Sequence, residues 1–459
     1  MPGLTGTLYM AEQSLLANQG ALDVTSNNIA NSNTPGYSRE QAVLTEATPT
    51  EVGNVTYGNG VVLQQVQSIR DQVLQLRIAE ETQQQGSSQA QYNALQQVQA
   101  LFSDPTQGLG SDFSAFFNSI SQLSTDPSNI PDRQAVLTSA QNLASDFQQT
   151  DGNLTSIQSG LNQTVTQTVN QINNLTQQIA QVNLQVGQMQ EQGQDTGALG
   201  DQENQLIQQL SQLTTVNVIQ TEQGETITTG NGTPLVVGGN SYALQTSNGP
   251  TGMQDVFSQG QDVTSSLTGG QLGGTIQVRD QVIPGLLTQI DNLASQFATS
   301  INTAQTAGFD LNGNAGQALF SVTAGPGAAS TFNVAISDPN LIAASSDGTP
   351  GSNGNIANLM AVQNQALPAG ANPGDTYASL VSQTGNLTAQ AQAEQSASTV
   401  SLNQLNDQLG AISGVSIDEE TTNLMNFQRA YEAAARVVTT VDELTQSVLQ
   451  MGAAAPSAP

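Results

Sequence analysis

LYMAEQSLLANQGALDVTSNNI, residues 8–29, decides the architecture. Leu8, Leu15, Leu22 and Ile29 recur at seven-residue intervals, with Leu4 and Ala11 in the second seam position of the first turns. This is the pattern of a helix with one narrow apolar stripe. Near the other end of the 459-residue chain, Leu424, Tyr431 and Val438 alternate with Phe427, Ala434, Val441 and Val448 in the same register. Two narrow seams at opposite termini can bury each other only by pairing, which brings the chain ends together or offers both to neighbouring subunits. The N-terminal seam reads as weak, because Asn18 and Thr25 occupy positions that a stable coiled coil fills with Leu or Ile. A lone helix of this kind is marginal and needs partners.

The first helix gives way to SNNIANSNTPGYSRE, residues 26–40. Asn31 and Asn33 tolerate left-handed backbone, Pro35 cannot continue a helix and Gly36 permits a turn. The matching C-terminal stretch is SGVSIDEETTNLMNFQRAYEAAARVVTTVDEL, residues 413–444. Together the two segments resemble the terminal signatures of the bacterial flagellar axial proteins of rod, hook and hook-associated type. Gly414, Val415, Ile417, Asp418, Glu419, Glu420, Asn423, Leu424, Phe427, Gln428 and Tyr431 are most similar to the hook-associated protein 1 (FlgK) family. The likeness is strong over about the first 70 and last 50 residues and looser between them.

Composition narrows the function from the other side. Thirty-six acids face seven positive residues, all Arg, and the net charge is −29. Phosphate backbones and anionic lipid surfaces repel such a chain, so neither nucleic acid nor membrane is an expected partner. Charged residues make up only 9%, so the polar surface must be amide and hydroxyl. Without Cys, Lys or His, disulfides, thiol catalysis, Schiff-base chemistry and most zinc sites fall away. No stretch reaches the run of about 18 apolar residues a membrane span needs, and the first 38 residues lack the charge and apolar core of a cleaved signal. The resemblance implies export through a dedicated type III apparatus without signal cleavage. Residues 452–459, GAAAPSAP, read as a frayed tail.

Between the ends the periods change. Residues 41–44 and 61–66 read as short extended segments, while Val62, Val66, Ile69, Val73 and Leu76 start a helical repeat towards Phe102. Phe113, Phe116, Phe117, Ile120 and Leu123 mark an aromatic helix ending near Pro127, and Pro131 opens another with Arg133 in its first turn. Residues 154–189 form a Gln/Asn-rich amphipathic helix with Val165, Ile172, Leu175, Ile179, Val182, Val186 and Met189 as its seam. Residues 190–200 break it, and Leu206, Leu210 and Leu213 return as the second arm of a hairpin. Residues 216–276 alternate with period two, residues 283–306 are helical, 331–345 form a short β excursion and 346–355 a surface loop. Helix resumes at 356–360 and from Tyr377 to Leu409.

The expected fold is mainly α with a β insertion: a helical-bundle or coiled-coil core from both chain ends, plus a smaller β-rich domain. The expected domains are 1–50 with 410–459 (axial), 51–215 with 277–330 and 356–409 (long helices), 216–276 (β-rich) and 331–355 (excursion and loop).

Little else suggests chemistry. Asp418, Glu419 and Glu420 precede the C-terminal helix, where carboxylates complement its positive end. DLNGNAG, residues 310–316, fails as a calcium loop because position six is Ala315 and position twelve Ser321; it reads as a turn into Phe320. No catalytic, cofactor or metal residues are assigned. A secreted two-carboxylate glycosidase is the rival from another class, and zero Trp with seven Tyr makes sugar stacking a poor fit. A rod or hook protein is the nearer rival. The interface residues expected are Leu8, Leu15, Leu22, Ile29, Leu424, Phe427, Tyr431, Ala434, Val438, Val441 and Val448, with Ile29, Leu22 and Leu15 facing Phe427, Ala434 and Val441. The resemblance implies a structural part of the hook–filament junction that self-assembles into a ring or tube. It further implies hook protein, a second junction protein and a cytosolic export chaperone on the C-terminal helix as partners.

Overall fold

The computed structural model describes residues 3–52, 55–102, 108–192, 194–221, 224–368 and 370–453. Helix α1 (Leu4–Ala30) leads into an antiparallel pair, β1 (Glu40–Glu46) and β4 (Val61–Ser68), with a small hairpin of β2 (Thr50–Val52) and β3 (Val55–Tyr57) between them. The β1–β4 pair lies along α1 at close range: a Cβ on Gly20 would meet Leu63 at 2.6 Å, and one on Gly60 would meet Met10 at 2.9 Å.

Helix α2 (Gln72–Leu101) begins where Asp71 accepts the Leu74 amide, a side-chain N-cap. That cap corrects the phase read from sequence. Val62 and Val66 belong to β4, Val73 and Leu76 are exposed, and Leu74 and Ile78 are the buried residues. Helix α3 (Leu109–Leu123) supplies Phe113, Phe116 and Phe117 to a cluster of edge-to-face and tilted rings with Phe147, Phe297, Phe320 and Phe332. This is the largest core of the molecule.

Helix α4 (Ile130–Glu191) is one element of 62 residues, about 93 Å at 1.5 Å per residue. The two helices read on either side of residue 154 are therefore one. Gly152 and Gly160 cost it stability without breaking it, because Leu154 and Leu161 remain on the buried stripe. Helix α5 (Gly197–Leu213) returns along its second half.

Against that second half lie two antiparallel sheets, β5 (Asn217–Thr221), β6 (Gly224–Thr228), β7 (Pro234–Val237) and β8 (Asn240–Ser241) in one, and β9 (Leu244–Asn248), β10 (Gln254–Ser258) and β11 (Gln261–Asp262) in the other. They share a second apolar core with α4 and α5. Helix α6 (Gly270–Gln277) continues through one π-helical turn, Val278–Val282, into α7 (Ile283–Thr306). The β-bearing part is locked onto α2 at a glycine crossing. A Cβ on Gly86 would lie 2.3 Å from the Gln212 carbonyl oxygen, and one on Gly274 would lie 2.2 Å from that of Ser87.

The β excursion expected at 331–345 shrinks to a two-residue pair, β12 (Phe320–Ser321) with β13 (Asn333–Val334). The rest is irregular because side chains satisfy its backbone. The buried Arg133 guanidinium donates to the Pro127 and Ile342 carbonyls, Gln305 donates to Leu341, and Asn355 to Ala304 and Ala343. Asn355, read as the end of a surface loop, is fully buried. The DLNG turn is closed by Asp310, whose carboxylate accepts the amides of Asn312 and Asn314 at 2.8 Å each.

Helix α8 (Ile356–Ala361) precedes α9 (Pro373–Ser413), which runs beside α2. Helix α10 (Ile417–Ala453) returns to α1. It extends through the first two residues of the expected tail, and 454–459 lie outside the described residues.

Candidate assembly surface

Helices α1 and α10 run antiparallel, since Asn28 at the end of one bonds Glu420 in the first turn of the other (3.2 Å). Counting back at equal rise sets Leu22 level with Phe427, Leu15 with Ala434 and Leu8 with Val441. The pairing within the chain thus differs by one heptad from the alignment expected between adjacent subunits, Ile29, Leu22 and Leu15 with Phe427, Ala434 and Val441. On α1 the buried residues are Ala11, Ala17, Asn18, Ala21, Val24, Thr25 and Asn28. Asn18 and Thr25 do not weaken this face: Asn18 donates to the Ser14 carbonyl (2.6 Å) and Thr25 to that of Ala21 (2.9 Å). Their polar groups are satisfied inside the helix, and their small bulk lets α10 and the β1–β4 hairpin approach closely.

The predicted interface residues divide three ways. Ala434 and Val441 are buried within the chain; Leu15, Leu22, Ile29, Leu424, Phe427 and Val438 are half-buried; Leu8, Tyr431 and Val448 are exposed. The first of these groups is spent on the intramolecular pair.

A polar knot closes the pair at its base. Asn28 uses its full capacity, donating to Glu40 O and Glu420 and accepting from the Glu40 amide and the Tyr37 hydroxyl. Arg39 pairs with Glu419 (3.1 Å) and Glu420 (2.7 Å). Burial, with the Glu40 and Asp201 carboxylates nearby, pushes the Tyr37 hydroxyl above its ordinary range, so it stays a donor. Burial likewise raises the Glu40 carboxyl. Asp418, Glu419 and Glu420 do occupy the first turn of α10, but Glu420 is also the buried anchor of this knot. The sequence held one signal for it: Arg39 is the only cation among the first 69 residues.

Sequence reasoning also missed a second seam on α10. Asn426, Ala430, Ala433, Val437, Thr440, Leu444, Ser447 and Met451 follow alternating steps of four and three, carry no charge, and are all exposed. Ala434 and Val441 on the neighbouring stripe are already covered by α1. Among the described residues, twenty-one large apolar side chains are exposed; four lie on α1 and eight on α10. Apolar exposure so concentrated makes this face the candidate interaction surface.

Comparison with known proteins agrees along the whole chain. Residues 95–320 match the model of the flagellar hook-associated protein FlgK helical domain. Residues 8–37 match the flagella basal body rod protein model and 410–451 the flagellar basal body rod FlgEFG protein C-terminal model. Flagellar hook-associated protein 1 of Bacillus subtilis is 30% identical, over 96% of this chain and 97% of that one. Its Escherichia coli counterpart is 27% identical, over 98% and 100%. In fold, the hook junction protein FlgK from Burkholderia pseudomallei superposes with a TM-score of 0.67 at 19% identity, covering 73% of this chain and all of that one. The chain belongs to the flagellar hook-associated protein 1 family, structural proteins of the hook–filament junction.

Proposed function

We propose that this chain builds its part of the junction through the outer seam of α10, with the α1–α10 pair as a preformed unit that packs coaxially against the pairs of neighbouring copies into a ring or tube. The observation that carries the reading is the uncharged, exposed heptad seam from Asn426 to Met451 beside a stripe already occupied by α1. An uncharged heptad face of this kind is what one helix offers to another in a coiled-coil packing. Hook protein and the second junction protein are the neighbours above and below in this reading. Export runs through the flagellar type III apparatus without signal cleavage, with a chaperone covering α10 until assembly.

The test is Leu444→Glu, in the middle of the outer seam and 49% exposed. A charge here leaves the folded monomer as stable as wild type, because the side chain faces water. It blocks assembly by leaving a desolvated carboxylate in the interface, a cost of several kcal/mol. Val441→Asp is a poorer probe, since Val441 is buried against α1 and its substitution would damage the monomer too. Motile flagella of normal length in the Leu444→Glu strain would rule the seam out.

A further inference from the structure

The helical pair and the rest of the molecule are joined in an unusual way. The terminal unit comprises α1, the turn at 31–39, the β1–β4 hairpin and α10; α2 to α9 form the body. Two covalent links connect them, Ile69–Asp71 between β4 and α2, and Gly414–Ser416 between α9 and α10. Among the described residues, every apolar cluster lies inside the body and none includes a residue of the terminal unit. What crosses the boundary is polar.

The polar bonds converge on one side chain. Asp201, on α5 and 8% exposed, accepts the Ser38 amide at 2.8 Å on one oxygen. Its other oxygen accepts Arg70 Nε (3.1 Å) and Nη2 (2.8 Å). Arg70 sits on the first covalent link and also donates to the Gly197 carbonyl. One turn further along α5, Gln205 donates to the Pro35 carbonyl (2.7 Å), and across the boundary the Arg39 amide donates to Ser413 O (2.9 Å). Behind this contact lies a cavity of ≈ 200 Å³ lined by Tyr37, Ser38, Asp201, Gln205, Ser413 and Gly414. A joint that no apolar cluster bridges among the described residues, with glycine in the second link and empty volume behind it, has what a hinge requires.

We propose that the terminal pair swings on the body about Ile69–Asp71 and Gly414–Ser416, and that Asp201 is the latch that fixes its angle by holding Ser38 and Arg70 together. Hydrogen bonds to a charged acceptor are the strong ones, so one carboxylate can hold a joint that lacks a core. The latch concerns the geometry within one copy and stands whether or not the outer seam of α10 is the assembly surface.

The chain has no Cys, so paired spin labels can be placed cleanly on the full-length protein. One pair, at Gln209→Cys and Glu432→Cys, spans the joint between exposed residues of α5 and α10. A second pair, Gln209→Cys and Gln149→Cys, lies within the body. The latch predicts a single narrow distance across the joint in the parent protein. In Asp201→Ala that distribution broadens about twofold or more while the within-body distance keeps its width. Asp201→Glu, which retains the charge, recovers part of the narrowing. An unchanged cross-joint distribution in Asp201→Ala, a parent distribution already broad, or equal broadening of both pairs would each overturn the proposal.

Discussion

The glycine crossing between α2 and the β-bearing part lends itself to a prediction whose sign is set by geometry. Adding a methyl group in Gly86→Ala puts Cβ 2.3 Å from the Gln212 carbonyl oxygen and 3.2 Å from Gly270 Cα. Both partners are backbone, so no rotamer change relieves the contact, and the helices must separate. Replacing a helical glycine by alanine gains about 1 kcal/mol of helix propensity, whereas forcing volume into a tight crossing costs about 1–3 kcal/mol and sometimes more. A 2.3 Å contact with backbone belongs at the upper end of that cost, about 2–3 kcal/mol, so the loss wins by about 1–2 kcal/mol. Gly152→Ala and Gly160→Ala on α4 run the other way, since nothing lies within 4 Å of either new Cβ, and each stabilises by about 0.5–1 kcal/mol. Urea unfolding of the three variants, followed by helical circular dichroism and protection of the α2 amides, separates the cases. If Gly86→Ala is as stable as Gly152→Ala, the crossing is not limited by backbone contact and the docking of the β-bearing part on α2 has been misread.

Further outcomes follow from charge and burial, and from the proposed export route. Glu225 is pushed up to about 7 from 4.5, first by burial and then by Glu203, whose own carboxyl burial also raises. The folded state therefore holds a proton that the unfolded chain has released, and stability falls as pH rises from about 4.5 to about 7. Glu225→Gln should flatten that loss in unfolding curves at pH 5 and pH 8, and equal effects at the two pH values would contradict it. Copies with a net charge of −29 repel one another, so sedimentation should show assembly strengthening with salt. Arg436→Glu, beside Val437 of the outer seam, should weaken it more at low salt than at high salt. Finally, deleting residues 4–29 should leave the protein in the cytoplasm of a strain with intact export, and deleting 424–451 should abolish chaperone binding; cell and medium fractions with a pull-down read both.

The parts of the fold that were legible in the sequence are those whose signal is local and periodic. The terminal heptads, the aromatic stripe of α3, the α4–α5 hairpin and the β strands after Val216 all announce themselves within a few turns. Phase and register were not legible, because they depend on single contacts. The Asp71 cap decides that Leu74, and not Val73, faces the core, and the bond between Asn28 and Glu420 fixes the pairing of helices 392 residues apart. The stretch around Leu341 to Ala343, within the β excursion expected at 331–345, is irregular; its backbone partners are the side chains of Arg133, Gln305 and Asn355, which no pattern links to it. The outer seam of α10 was overlooked for a different reason. Alanine, threonine and serine fill half of it, and hydrophobicity alone favours the neighbouring stripe that carries Phe427, Val438 and Val441.

The scarce cations show how this chain divides its labour. Of the seven arginines, four act as internal fasteners: Arg39 ties the turn before β1 to α10, Arg70 joins the terminal unit to α5, Arg133 holds the irregular segment, and Arg279 binds Asn162 of α4 to Gln254 of β10. Each stands where two parts of the fold meet. A planar guanidinium with five donors serves such a place better than an ammonium, which accounts for an all-arginine set in a chain whose polar surface is otherwise amide and hydroxyl. The three that remain, Arg77, Arg429 and Arg436, are exposed, and two of them flank the outer seam one heptad apart, each preceding a seam residue. In a strongly acidic molecule that places local positive charge beside the apolar strip that a neighbouring acidic copy must approach. The same residue type thus fastens the monomer internally and lowers the electrostatic barrier at the surface where copies are proposed to meet.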